Sequence, residues 1–121
     1  MNVAKMVDAY AECAVWSSLD WDNQIGGNPQ PMDAEYSTDD LGEDAWDSFR
    51  TDCEDFADAN SVDLADMDAE QAGHDFWLTR NRHGAGFWDR GLGERGDRLT
   101  KAAHVYGEVD LWVGEDGKIH A

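Results

Sequence analysis

The sequence predicts an α+β fold: one small domain of about three helices packed on an antiparallel sheet of about four strands, arranged as two β-hairpins. Three observations carry that expectation. Apolar residues recur at helical spacing between Trp46 and Ala57. The seventeen positions from His74 to Arg90 hold four large aromatics, two histidines and three arginines around a Gly84-Ala85-Gly86 turn. Val109 to His120 alternates and reverses at Asp116-Gly117, a strong short-range hairpin signal. At 121 residues and 41% hydrophobic content, the chain suits a single domain over residues 1–121 that buries most of the surface its unfolded form exposes.

Taken in order, Asn2 to Ser18 sets Val3, Met6, Tyr10, Cys13 and Ala14 at three- and four-residue steps, with Trp16 following, which predicts an amphipathic helix. From Leu19 to Asp40 the run Gly26-Gly27-Asn28-Pro29-Gln30-Pro31 and scattered acids predict a long exposed connection. Ser37 and Thr38, just ahead of acidic residues, suit the N-terminal cap of a second helix, because side-chain oxygens accept from free amides and carboxylates favour the positive end of the helix dipole. That helix carries the stripe Trp46, Phe49, Cys53, Phe56 and Ala57, with Asp44, Asp47, Asp52, Glu54, Asp55 and Asp58 over the rest of its surface. Ser61 to Ala72 reads as a short capped turn or helix around Leu64 and Met67.

In the central stretch, Phe76 to Arg80 and Ala85 to Asp89 flank Asn81 to Gly84, which predicts a β-hairpin with a glycine to take a positive φ. The competing reading is a helix capped by Asp68 and running to about Asn81, against which Gly73 weighs. A glycine-rich connection over residues 91–96 follows, and then a third helix capped by Asp97, carrying Leu99, Ala102, Ala103 and Tyr106 and closed by Gly107. The large aromatics Trp46, Phe49, Phe56, Phe76, Trp77, Phe87 and Trp88 are expected to form the core, with the second helix on the first hairpin.

The formal charge of −18, from 27 acids and 9 bases, works against compaction. It is unevenly placed: residues 1–70 hold 19 acids against Lys5 and Arg50, whereas residues 71–121 hold 8 acids against 7 bases. The first 72 residues thus form an acidic, mainly helical half, and residues 73–121 a near-neutral hairpin, helix and hairpin half. Direct nucleic-acid binding is disfavoured, since affinity for phosphate rests on lysine and arginine displacing counterions. A basic or nucleic-acid-binding protein partner is favoured instead. Cys13 and Cys53 belong to no Cys-x-x-Cys motif and read as small buried hydrophobes, a disulfide being the lesser reading. Met1 to Tyr10 has no apolar run behind a basic region, and no run reaches membrane-spanning length, so a cytoplasmic protein without membrane contact is expected.

Two constellations are candidate sites. The first is an acidic partner-binding face made by Asp44, Asp47, Asp52, Glu54, Asp55 and Asp58, continued by Asp63, Asp66, Asp68 and Glu70. The second is the cluster His74, Asp75, Arg80 and His83 with Trp88 and Asp89, which a hairpin would gather for acid/base or metal chemistry. Its spacing matches no metalloenzyme motif, so hydrogen-bonding roles are favoured and neither a metal nor a cofactor is expected. Arg80, Arg82 and Arg90 beside Asp75 and Asp89 read as an internal charge network ahead of a phosphate-binding triplet, and Gly84, Gly86, Gly91, Gly93 and Gly96 as turn residues rather than a phosphate cradle.

The segments Gly73-His74-Asp75-Phe76-Trp77-Leu78-Thr79-Arg80-Asn81, His83-Gly84-Ala85-Gly86-Phe87-Trp88-Asp89-Arg90-Gly91 and Val113-Gly114-Glu115-Asp116-Gly117-Lys118-Ile119 resemble a family of small acidic proteins encoded by bacteriophages and prophages. Glu12-Cys13-Ala14-Val15-Trp16-Ser17-Ser18 fits the same pattern, in which a small or glycine-like residue is expected at the position of Arg82. The resemblance implies phage origin and action inside a bacterial host cell, and it transfers no catalytic or binding role to any residue. The expected function is an accessory protein that binds and inhibits a host nucleic-acid-binding or defence protein by presenting a DNA-like acidic surface. A small enzyme or metal-binding protein built on His74, Asp75, Arg80 and His83 is the rival. A structural factor or adaptation to high salt is a third reading, but acid confined to one half favours a binding face over salt adaptation, which acidifies the whole surface.

Overall fold

Helix packing against one another, rather than against a sheet, organises this chain. The computed structural model describes all 121 residues: α1 (Val3–Ser17), β1 (Leu19–Ile25), β2 (Asn28–Pro31), α2 (Glu43–Ala59), α3 (Ser61–Leu64), α4 (Ala69–Arg80), α5 (Glu94–His104), β3 (Trp112–Val113) and β4 (Ile119–His120), with 3₁₀ turns at Met32–Ala34, Thr38–Asp40 and Phe87–Asp89. The fold is α+β as expected, but the expected architecture is corrected: five helices carry two separate two-stranded antiparallel sheets, β1–β2 and β3–β4. No helix is long and apolar enough to cross a membrane.

The first expected hairpin does not form, and the competing helix does. Asp68 caps α4 by accepting from the Gln71 amide at 3.2 Å, and α4 runs to Arg80. Gly73 favours this outcome instead of opposing it. It lies where α4 crosses α1, and a Cβ there would stand 2.3 Å from the Met6 carbonyl oxygen and 2.9 Å from the Tyr10 nitrogen. Bare backbone lets the two helices close, and the area then buried outweighs the weak helix propensity of glycine, about 1 kcal/mol below alanine. Past Arg80 the chain turns through Arg82, whose φ of 58° is the only positive value at a non-glycine residue. A small residue was expected there, and the left-handed backbone is the physical reason for such a preference.

A hairpin forms instead within residues 19–31, where a structureless connection was expected. Gly26 and Gly27 take φ of +62° and +81°, the two positive values that a tight hairpin turn with the native strand twist requires. Leu19 pairs with Pro31 and Ile25 with Asn28, with an irregularity between Asp20 and Gln24. In a two-stranded ribbon every strand is an edge, so Pro29 and Pro31 interrupt no central ladder. The C-terminal hairpin forms at its expected turn, pairing Trp112 with His120 and Val113 with Ile119. Ile119 also bridges to Leu41, and the Gly42 amide donates to the Ile119 carbonyl at 2.9 Å, which fixes β4 beside the start of α2.

The second helix starts at Glu43 rather than directly after Ser37. Ser37 caps a 3₁₀ turn in a reciprocal capping box with Asp40. The third expected helix, α5, begins at Glu94, ahead of Asp97, and Gly107 lies beyond its end with φ +75°.

One hydrophobic core of 23 residues draws on every helix and on Leu41, Phe87, Leu111 and Ile119. Tyr10 is its centre, packed edge-on against Phe49 at 5.1 Å and Trp77 at 5.3 Å and tilted against Phe76 at 5.4 Å. Phe56 stacks on Phe76 at 4.1 Å and on Phe87 at 5.8 Å. Thus α2 packs on Phe76 and Trp77 as expected, though they belong to a helix. Trp88 does not enter the core and stands 53% exposed, because a 3₁₀ turn, not a strand, presents it. Both cysteines are free and buried, and burial pushes the Cys13 thiol up to about 12, far from the thiolate form that reacts.

Candidate acidic surface and aromatic cleft

The predicted acidic face divides into carboxylates held by the chain's own groups and carboxylates left free. Asp52 is half-buried and pairs with Arg80 at 2.7 Å. Asp55 accepts from the Tyr106 hydroxyl. Asp63 takes a two-point contact from Arg98 at 2.7 and 2.9 Å, and these bonds hold its carboxyl below the usual range. Asp66 pairs with Arg95, Asp68 caps α4, Glu70 stands 4.0 Å from Lys5, and Asp47 pairs with its helical neighbour Arg50 at 3.0 Å. Glu54 and Asp58 have no such partner. Glu54 lines a groove between α1 and α2 together with Asp8, and it continues with Asp58 into an adjoining groove towards α3.

Asp44 meets a partner that spacing alone did not reveal. Its carboxylate oxygens lie 3.0 and 3.1 Å from Nδ1 of His120, while both Asp116 oxygens lie 3.1 Å from Nε2. Carboxylates on both ring nitrogens favour the imidazolium: the Asp116 and Asp44 hydrogen bonds raise the His120 pKa above its ordinary value, and the His120 bond lowers that of Asp44. The ring also stacks on Trp112 at 4.7 Å. This arrangement clamps the C-terminal hairpin to the first turn of α2.

The alternative cluster is not assembled. Asp75 is fully buried, where Nε and Nη2 of Arg90 donate to it at 2.9–3.3 Å and the Gln71 side-chain amide donates at 2.9 Å. Burial raises its pKa against the lowering effect of Arg90 and Gln71. Arg80 is 3% exposed, and its guanidinium donates to the carbonyls of Gly107 and Tyr106 (both 2.9 Å), the Tyr10 hydroxyl (3.0 Å) and Asp52. Each of its nitrogens is engaged, so Arg80 joins α1, α2, α4 and the end of α5 instead of facing a ligand. Of the internal charge network read from the sequence, the Arg90–Asp75 pair forms and Arg80 pairs with Asp52 of α2, whereas Arg82 and Asp89 form no ion pair and there is no hairpin at this place to hold. His74 sits midway along α4, His83 beyond its end and Asp89 on the 3₁₀ turn, because the hairpin that would face the two histidines across paired strands is absent. No three His, Cys, Asp or Glu side chains stand close enough together to hold a metal ion.

His83 belongs to a different feature, an open cleft of about 500 Å³ where the ends of α1 and α4 meet β1 and the segment leading into β3. Trp21, Trp112 and Leu19 supply its apolar walls, and Glu108 and Asp110 its carboxylates. Trp21 and Trp112 are 63% and 55% exposed. The cleft is held from below. Trp77 Nε1 donates to Ser17 Oγ at 2.7 Å, the Asn81 side chain donates to the Trp77 carbonyl at 2.9 Å, and it accepts from the Val109 amide at 2.8 Å. The sequence reading gave no site here, although Leu19 and Trp21, two residues apart and both exposed, were its signal, apolar strand residues left uncovered.

No family model matches the chain, and neither the curated proteins nor the solved structures include a significant match to it.

Proposed function

We propose that this protein is an acidic binding protein whose carboxylate surface engages a basic, nucleic-acid-binding partner in competition with nucleic acid. One observation carries this reading. Six of the nine lysines and arginines are taken up in ion pairs with six of the chain's own 27 acids, which leaves 21 acids without a lysine or arginine partner. Most of the bases thus face the chain's own carboxylates, and the surface is left strongly negative. A field of that sign attracts a positively charged groove and speeds its encounter with the protein. The resemblance of residues 73–91 to phage-encoded proteins supports a bacterial host protein, of nucleic-acid processing or defence, as the one inhibited.

Capture from a bacterial lysate on the immobilised chain tests the proposal. Retained basic proteins are expected to elute steeply as salt rises, since exposed charges are screened beyond about 8 Å at physiological ionic strength. Duplex DNA is expected to displace them. Reversing Asp47, Glu54 and Asp58 to lysine should abolish capture without loss of the folded state, since all three side chains are exposed. Retention that resists both salt and DNA would overturn the proposal.

A further inference from the structure

We propose that the cleft between Trp21 and Trp112 is a receptor for an arginine side chain of a basic peptide segment. This rests on the reading that the partner is basic and names the place where that partner is anchored. Three independent features select a cation. Two exposed indoles line the same cleft, Trp112 with one face already stacked on His120, and the free face of an indole attracts a guanidinium and stacks on its plane. Glu108 and Asp110, both exposed and neither in an ion pair, stand on its wall.

The third feature is that α1 and α4 both end at the cleft, through Ser17 and Ser18 and through Asn81. A helix C-terminus presents carbonyl oxygens and the negative end of the helix dipole. At α4 the Trp77, Leu78 and Thr79 carbonyls already accept from Asn81, His83 and Arg82, so that end contributes its dipole, and the carbonyls on offer are those of the last residues of α1. The last turn of α1 has no basic residue, and the single basic residue in the last turn of α4, Arg80, is turned into the core. Neither helix end is answered by a cation at the cleft. A planar group with five N–H donors matches this mixture of carbonyls, carboxylates and aromatic faces better than a compact ammonium, and arginine is chosen over lysine on that ground. The volume, about 500 Å³, accommodates one such side chain with its flanking backbone.

The test uses the intact ¹⁵N-labelled chain at low salt, with acetyl-Gly-Arg-Gly-Arg-Gly-amide as probe and the same peptide carrying citrulline as its uncharged counterpart. The arginine peptide is expected to shift the indole N–H signals of Trp21 and Trp112 and the amides of residues 108–112, and the citrulline peptide to bind at least about tenfold more weakly. Trp21→Ala, and separately Glu108→Gln with Asp110→Asn, should each weaken the arginine peptide by about tenfold, and neither change touches the core. Equal binding of the citrulline peptide overturns the proposal. So do shifts confined to Glu54 and Asp58 with both indoles unmoved, which leave the acidic-surface function standing. Indole shifts that follow protein concentration without peptide mean a second copy occupies the cleft, and the proposal falls. If the arginine peptide binds nowhere on the chain, the cleft proposal falls, while the acidic-surface function stands or falls on the salt and DNA response of the captured proteins.

Discussion

A methyl group on Gly73 would stand 2.3 Å from a carbonyl oxygen of α1, a separation no packed pair of atoms adopts, and both contacts within 3 Å are with backbone, which cannot swing aside as a side chain does. Gly73→Ala therefore sets two effects against each other: a gain of about 1 kcal/mol in helix propensity, and the separation of α1 from α4, with an overpacking cost of about 1–3 kcal/mol or more. The second should win, because α1 and α4 are the most extensively packed pair of elements and Tyr10, Phe76 and Trp77 must shift with them. Thermal unfolding should show a lowered midpoint, and an unchanged or raised one would mean the helices cross elsewhere. Arg80 shows the same dependence on long-range partners. Its composition read as charge, yet its contacts span 26 to 70 residues of sequence, and only the folded chain shows that it is buried. No local pattern around residue 80 carries that information.

Among the elements, those whose signals are local were legible. The stripe of α2 and the Asp116-Gly117 turn are written in adjacent residues, and both elements formed where expected, α2 starting a few residues late. Residues 73–80 were misread because Phe76 and Trp77 fit a strand as readily as a buried helix, and the deciding contact, Gly73 on α1, is about 65 residues away in sequence. The β1–β2 hairpin was hidden by its prolines and polar residues although Gly26-Gly27 marked its turn. At the candidate site, the acids were legible but their partners were not, since Asp44 meets His120 across 76 residues. That clamp has a pH dependence of definite sign. The folded-state pKa of His120 is raised above 6.5, so its stabilisation is fully present below that value and is lost as pH rises through the folded pKa. Asp44 and Asp116 are lowered from 3.8, so theirs is present above that value and is lost as pH falls through their folded pKa values. The C-terminal hairpin should therefore be held most tightly in mildly acidic solution. Amide exchange of Ile119 and His120 should slow there and quicken above neutrality beyond the intrinsic rate change, and His120→Gln should remove the difference.

On the scale of the whole molecule, a net charge of −18 on 121 residues makes self-repulsion a term that rivals any single contact. Salt acts on it in two opposing ways. It screens the repulsion among the 21 acids without a lysine or arginine partner, which favours the compact state, and it weakens the six ion pairs, which opposes it. Two of those pairs, Arg80 with Asp52 and Arg90 with Asp75, have a buried member and are screened little. The other four are exposed on at least one side, and such pairs contribute about 0–1 kcal/mol each. Repulsion should dominate, so the thermal midpoint should rise as sodium chloride increases from about 10 mM to about 0.3 M, where the Debye length falls from about 30 Å to under 8 Å. For a chain of this length each 1 kcal/mol gained is worth about 3–6 °C. The rise should flatten above that range, which separates screening from the steady effect of excluded salts. Lysine at positions 47, 54 and 58, which lowers the repulsion directly, should raise the midpoint at low salt and shrink the salt response. A midpoint that falls with salt would mean that the ion pairs outweigh the repulsion, and the surface would then lack the uncompensated field on which binding to a basic partner depends.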